Sequence, residues 1–264
     1  MELTYIYHSG FALSGDGFTV IMDYYRDSED GQAQADLNRL MDGTFSNQEA
    51  GMPEGTVHSE LLRRPGKLYV LASHFHPDHF NKEVLQWREQ RPDIIYIFSK
   101  DILRHRRAQK EDAVWLKKGE EYKDETLSVR AFGSTDVGVS FLLQTGGKKI
   151  FHAGDLNNWH WMDESTEAEW KGAEKNFLHE LDDLYAYTPE VDVAMFPVDP
   201  RLGKEYMRGA GQFVTKIKTH IFVPMHFTPE YAKANAFRDF AEAHGVRFVS
   251  LTCLLYTSPS PRDS

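Results

Sequence analysis

The sequence predicts an α+β protein in which two mixed β-sheets pack face to face with helices on their outer sides. Two observations carry this reading. A β-rich, turn-punctuated block opens the chain and a second follows Glu120, and each runs on into alternating strand and helix patterns. No internal repeat and no linker of shifted composition separates the blocks, so residues 1–252 read as a single domain.

The elements follow in order. LTYIY, GFALSG and FTVIMDYY are short runs rich in β-branched and aromatic residues, with Gly15-Asp16-Gly17 turning the last pair. Residues 26–66 are polar and Gly/Pro-punctuated, with one helix expected around Gln32–Met41. That span is long for a loop and reads as an insertion or flap. From Lys67 the pattern becomes strand KLYVLAS, loop HFHPDHF and helix NKEVLQWREQ, then strand IIYIFS and the helix-like DILRHRRAQK, whose RHRR run reads as a solvated face. TLSVRAF, VSFLLQT and KKIFHAG are strands, the last two joined by a turn at Thr145–Lys148. A long polar helix is expected over Glu164–Tyr185. Strand VDVAMFPV, helix EYMRGAGQFVTKIK, strand HIFVPM, helix YAKANAFRDFAEAH and strand VRFVS close the domain.

Composition bounds the function. The 264 residues suffice for one large domain, and 41% hydrophobic with 27% charged residues is a globular balance. A formal net charge of -10 argues against broad electrostatic capture of nucleic acid or anionic membrane. The opening MELTYIYHSGFALSGDG lacks the basic-then-apolar pattern of a secretory signal, and no run approaches the ~18 apolar residues of a membrane helix. One cysteine, Cys253, excludes an intramolecular disulfide framework. The expectation is a soluble cytoplasmic protein.

The chemistry concentrates in HFHPDH, directly after the apolar strand from Lys67. Imidazole and carboxylate are good ligands for zinc, and for manganese or iron in related geometries. His74 and His76 lie two apart on an extended segment and can project to one side. Pro77 fixes a turn, after which Asp78 and His79 can face a second ion. A lone HxH would be weak evidence; HxHxDH at a strand end is strong evidence for a metal site.

HFHPDH resembles the HxHxDH signature of the metallo-β-lactamase superfamily, and the resemblance extends from residue 3 to residue 226. IFHAGDLN is similar to that family's strand-end Gly-Asp, and PMHF to its late strand-end histidine. LTYIYHSGFAL and TVIMDYY look like its opening strands, with Asp23 at the end of the third. The resemblance implies a four-layer αβ/βα sandwich and two divalent metal ions, zinc first, with manganese or iron as alternatives. It implies His74, His76, Asp78, His79, Asp155 and His226 as ligands, with Asp155 bridging the ions. One histidine of the family pattern is missing. Its neighbourhood reads AFGSTDVGVSF, where Asp136 is the nearest ligand-type residue and Thr135 could occupy the histidine's place.

The implied activity is metal-dependent hydrolysis of a small ester, lactone or phosphodiester by a metal-bound hydroxide, with Asp78 ligating one ion and orienting the water. The nearest look is the lactonase and phosphodiesterase-like intracellular branch. Candidate substrate-binding residues are His8, similar to a histidine near the site in lactonase-like members, and Asn157 and His160, which with Trp159 and Trp161 follow Asp155. Asp199 and Arg201 follow a strand, and Arg201 would suit a phosphate or carboxylate or else pair with Asp199. His152 reads as a core or supporting histidine. The expected partner is a small-molecule substrate, with self-association into a homo-oligomer left open and neither membrane nor nucleic acid expected. The competing readings are a non-catalytic or single-metal relative and, more distantly, an RNA-processing nuclease. Residues 253–263, CLLYTSPSPRD, resemble a translated sequencing adapter, so 253–264 are expected to be a non-native, disordered tail.

Overall fold

A computed structural model describes residues 1–27, 34–36, 52–53 and 58–252. Strands β1 (Glu2–Tyr7), β2 (Gly10–Gly15) and β3 (Phe18–Met22) form an antiparallel meander. Gly17, at φ 74°, supplies the left-handed residue that the second turn needs. Strands β6 (Lys67–Ala72), β7 (Ile95–Ser99) and β8 (Val114–Leu116) then join parallel to β3 and to one another. The second sheet starts antiparallel with β9 (Glu121–Lys123), β10 (Ser128–Phe132), β11 (Ser140–Thr145) and β12 (Lys148–His152). It continues parallel through β13 (Glu190–Pro197), β14 (Lys218–Met225) and β15 (Arg247–Phe248).

Alternation along the strands decides which faces meet. Leu3, Tyr5, Phe11, Leu13, Tyr69 and Leu71 of the first sheet share one core with Val129, Phe141, Leu143 and Ile150 of the second. The intervening positions, including Ala12, Ile21 and Val70, point outward. They are covered by Leu61 and Leu62 of α1 (His58–Leu62), by Val84 and Trp87, and by Ile102 of α2 (Lys100–Arg104). Outside the second sheet lie α3 (Glu167–Tyr187), whose Phe177, Leu181 and Leu184 are buried, and α4 (Arg208–Lys216), whose Phe213 stacks on Phe151 at 5.5 Å. The four-layer αβ/βα arrangement expected from the sequence is therefore present.

Some elements differ from expectation. Within the helix expected at Gln32–Met41, residues Gln34–Asp36 form a strand, β4, paired antiparallel with β1. The open edge of β1 offers unpaired backbone groups, and pairing there overrides a weak helical pattern. The rest of that expected helix, most of the 26–66 span and the tail 253–264 lie outside the described residues. NKEVLQWREQ forms a 3-10 rather than an α-helix over Lys82–Glu89. Its two buried residues, Val84 and Trp87, are three apart and align in that tighter repeat. In DILRHRRAQK the helix stops at Arg104, and Arg106 is left-handed at φ 56°. YAKANAFRDFAEAH divides into α5 (Tyr231–Asn235) and α6 (Arg238–Ala243). Asn235 hydrogen-bonds both the amide and the carbonyl of Leu251 at the break. The edge strands β8 and β9 lacked a readable pattern, being three residues each. A further small pairing joins β16 (Leu251–Thr252) to β5 (Met52–Pro53). Among the described residues no helix is long and apolar enough to cross a membrane.

Candidate metal centre

Parallel strands β3 and β6 of one sheet and β12, β13 and β14 of the other are followed by the residues of one cluster, so it assembles at their carboxyl ends. Asp23 follows β3, Ser73 to His79 follow β6, and Asp155, Asp199 and His226 follow the other three. His8 joins from the turn between β1 and β2. The local turn after β6 is built on the His76 carbonyl, which accepts the amides of His79 at 3.0 Å and Phe80 at 2.8 Å. Pro77 stands in that turn, which brings Asp78 and His79 round to face back toward His74.

Two donor groups result. His74, His76 and Asp155 form one, and His8, Asp78, His79 and His226 the other. Within each group the ligand atoms all lie within 4.8 Å of one another. Asp155 reaches both groups. Its Oδ2 is 3.3 Å from His74 Nε2, while its Oδ1 is 3.1 Å from His79 Nε2 and 3.3 Å from His226 Nε2.

Hydrogen bonds behind the cluster set the imidazole tautomers. Asp23 accepts the Ser73 amide at 2.7 Å and hydroxyl at 2.6 Å, and accepts His79 Nδ1–H at 2.7 Å. With its proton committed to Asp23, the Ser73 hydroxyl accepts His74 Nδ1–H at 2.9 Å. Asp199 accepts His226 Nδ1–H at 3.0 Å. Each of these three histidines therefore turns its Nε2 toward the cluster, the nitrogen that binds a metal once it carries no proton.

The unmet polar atoms test whether the cluster suits metal ions. His8 Nε2, His79 Nε2 and Asp155 Oδ1 are buried without a hydrogen-bond partner. Such orphans cost about 1–3 kcal/mol each unless something compensates them. All three face the cluster, and a nitrogen and oxygen donor set of this kind suits a divalent cation. Burial also pushes the His8 pKa down to about 4, against an opposing contact with Asp78, and keeps the ring in its neutral form. Burial disfavours ionised Asp78, but the contact with His8 and the charges of His79 and His226 outweigh it and hold the carboxyl well below its usual range. For Asp199 burial is likewise outweighed, by His226 and Arg201, and its pKa falls to about 2.

Backbone strain is concentrated here. Of the five non-glycine residues with left-handed φ among the described residues, His8 (59°), Asp23 (47°) and His226 (61°) belong to the cluster. Two glycines let the second sheet approach it. A Cβ on Gly138 would lie 2.1 Å from the Ser73 carbonyl oxygen and 2.5 Å from His74 Cβ. One on Gly154 would lie 2.8 Å from Ser73 Cβ.

The remaining expected residues divide. Asp136 joins neither group; its Oδ2 is 3.7 Å from His76 Nδ1 and its side chain is 46% exposed. Thr135 is committed to the chain, donating to the Asn157 carbonyl at 2.5 Å and accepting its amide at 3.0 Å. His160 is buried and braces its own loop. Its Nε2 donates to the Glu205 carbonyl and its Nδ1 accepts the Met162 amide. Asn157 is buried too, its Oδ1 accepting the Asn158 amide. His152 holds a supporting place, donating from Nε2 to the Ser9 carbonyl at 2.8 Å. Asp199 lies behind His226 and is clasped by Arg201, whose Nε is 3.0 Å from both carboxylate oxygens. Beside the cluster a cleft of about 370 Å³ is lined by His8, His226, Arg201, Thr228, Glu230 and Lys233, among others. The sequence reading passed over Ser73, Thr228 and Lys233. A serine directly before an HxH motif was the only available signal.

The profile of the beta-lactamase superfamily domain matches residues 2–174, which include every donor of both groups except His226. No curated protein matches the chain. Among solved structures it is similar to Igni18, a metallo hydrolase from the hyperthermophilic archaeon Ignicoccus hospitalis. The TM-score is 0.61 at 17% identity, covering 96% of this chain and 94% of that one. YhfI, a metallo-beta-lactamase fold protein from Bacillus subtilis, matches with TM-score 0.56 at 11% identity, over 96% and 95% of the two chains. CmlA, a diiron beta-hydroxylase from Streptomyces venezuelae, matches with TM-score 0.55 at 14% identity. That match takes in 94% of this chain and 52% of CmlA. At these identities the likeness is one of fold.

Proposed function

Because the chain belongs to the beta-lactamase superfamily, we propose that it is a metal-dependent hydrolase acting on a small ester, lactone or phosphodiester. One observation carries this reading. Two converging donor groups share Asp155, and three of their buried polar atoms have no other partner. His74, His76 and Asp155 would hold one ion, and Asp78, His79, His226 and Asp155 the other, with zinc favoured. Bound divalent ions supply Lewis acidity and lower the pKa of a water molecule toward neutrality.

The chain's own residues do the rest. Asp78, with a carboxyl that stays ionised, would accept a hydrogen bond from the attacking water and so orient it. Asp23 and Asp199 keep His79 and His226 in fixed tautomers, so the donors are preorganised. The cleft is of a size that suits a small molecule. Arg201, at its wall, is held in place by Asp199 and is 64% exposed, so it can pair with a carboxylate or phosphate on the substrate.

The test is metal analysis of the purified protein with a screen of phosphodiesters, lactones and thioesters, Asp155→Ala serving as control. The expected result is bound metal with turnover in the parent and no turnover in the variant. Unchanged activity in Asp155→Ala would sink the mechanism. A second reading, a single-metal or non-catalytic protein, is favoured by the three-donor group, which has no histidine at Thr135 or Asp136. Two equivalents of metal per chain support the enzyme, whereas one supports this alternative.

A further inference from the structure

Taking the cluster as a metal centre, as proposed above, we infer that His8 is itself a metal donor, which makes the two subsites unequal. The subsite of His8, Asp78, His79 and His226 fills first and holds its ion tightly. The subsite of His74, His76 and Asp155 fills second and exchanges readily.

The position of His8 is costly to the backbone. It follows β1 in the turn that returns the chain to β2, where Tyr7 pairs with Gly10, and its φ is 59°. Glycine or asparagine takes that conformation far more easily than histidine. Ordinary hydrogen bonding of the imidazole does little to offset this. Its Nε2 is buried without a partner and lies 3.4 Å from Asp78 Oδ2, a contact too loose for a good hydrogen bond. Its ring centroid is 4.3 Å from that of His226. The two residues are also tied through the backbone, the His226 amide donating to the His8 carbonyl at 3.1 Å, and both are left-handed. A strained imidazole whose Nε2 is buried without a good hydrogen bond, and which is locked to another donor, is what a preorganised ligand requires.

The other subsite contrasts with it. It has three donors, and its His76 side chain is 36% exposed. The segment that could complete it does not. Thr135 is bonded to Asn157, and Asp136 points to His76 from an exposed position.

The test titrates chelator-stripped protein with Co2+, whose d–d absorption reports donor number, and competes the ion away with a chelator. The parent should take up two equivalents in separate phases. His8→Asn, which suits a left-handed residue, should weaken the first phase by about 100-fold, the upper end of what even supporting residues contribute. It should also lower the absorption change of that phase. His76→Asn should remove the second phase and leave the first. The stripped His8→Asn protein should melt no lower than the stripped parent, since its backbone strain is relieved; if it fails to fold, His8→Gly is read in its place. A first phase within threefold of the parent in the folded variant overturns the inference while leaving the proposed function standing. A parent that takes up no Co2+ overturns both.

Discussion

The carboxylate of Asp23 and the imidazole of His79 lie 2.7 Å apart, both with fully buried side chains, and Asp23 adopts a left-handed backbone to make the contact. The same carboxylate takes the Ser73 amide and hydroxyl, so one residue at the end of β3 braces the whole HFHPDH loop. Asp23→Asn keeps the backbone conformation accessible but offers one acceptor oxygen in place of two. Metal affinity should fall by about 10- to 100-fold, as it does when other supporting carboxylates are lost, read by chelator competition. Asp23→Ala should also lower stability by about 3–5 kcal/mol, the cost of breaking a buried pair.

Gly138 and Gly154 bring the second sheet onto Ser73 and His74 with no room for a methyl group. Both also hold positive φ, at 75° and 53°. Alanine at either position should cost about 2–4 kcal/mol through combined clash and strain, measured by urea unfolding. Metal content should fall with it, because the displaced backbone carries His74 or Asp155.

Arg201 is expected to act on binding rather than on turnover. With an anionic substrate, Arg201→Ala should raise KM about 10-fold or more, the worth of a charge-assisted pair, while kcat changes little. A neutral substrate of the same reaction should show no such rise. Arg201→Lys should recover little of the loss, since a lysine lacks the fork that grips both Asp199 oxygens. Equal effects on neutral and anionic substrates would remove Arg201 from recognition.

Far from the cluster, Asp124 joins the two sheets. It accepts Tyr69 at 2.6 Å and Lys67 at 2.9 Å from β6, and Tyr122 at 3.1 Å from β9. Burial opposes its ionisation, but these bonds and those from the Leu127 and Thr126 amides outweigh it and hold its pKa well below 3.8. A depressed folded-state pKa means the contribution is complete above about pH 4 and is lost as pH falls through the folded value. Asp124→Ala should destabilise the fold by about 1–3 kcal/mol at neutral pH, since buried Tyr69 loses its acceptor. The variant should also show a flatter acid limb in melting temperature against pH.

The sequence by itself determined the two-sheet plan and the first half of the site. Apolar alternation is a local property, and so is the HFHPDH spacing, in which Pro77 separates one ligand pair from the next. Asp155 and His226 were legible through motifs at strand ends. The tertiary structure alone decided what surrounds them. His8 and Asp199 both line the cleft, as expected of pocket residues, but only the fold brings β14's His226 against the His8 carbonyl and sets Asp199 against the Nδ1 of that same histidine. His160 looked available until backbone groups took both of its nitrogens. In each case the role depends on a partner distant in sequence, delivered by parallel strands that end at a common edge. No local pattern encodes that meeting, because the energy that enforces it comes from burying the two sheet faces against each other.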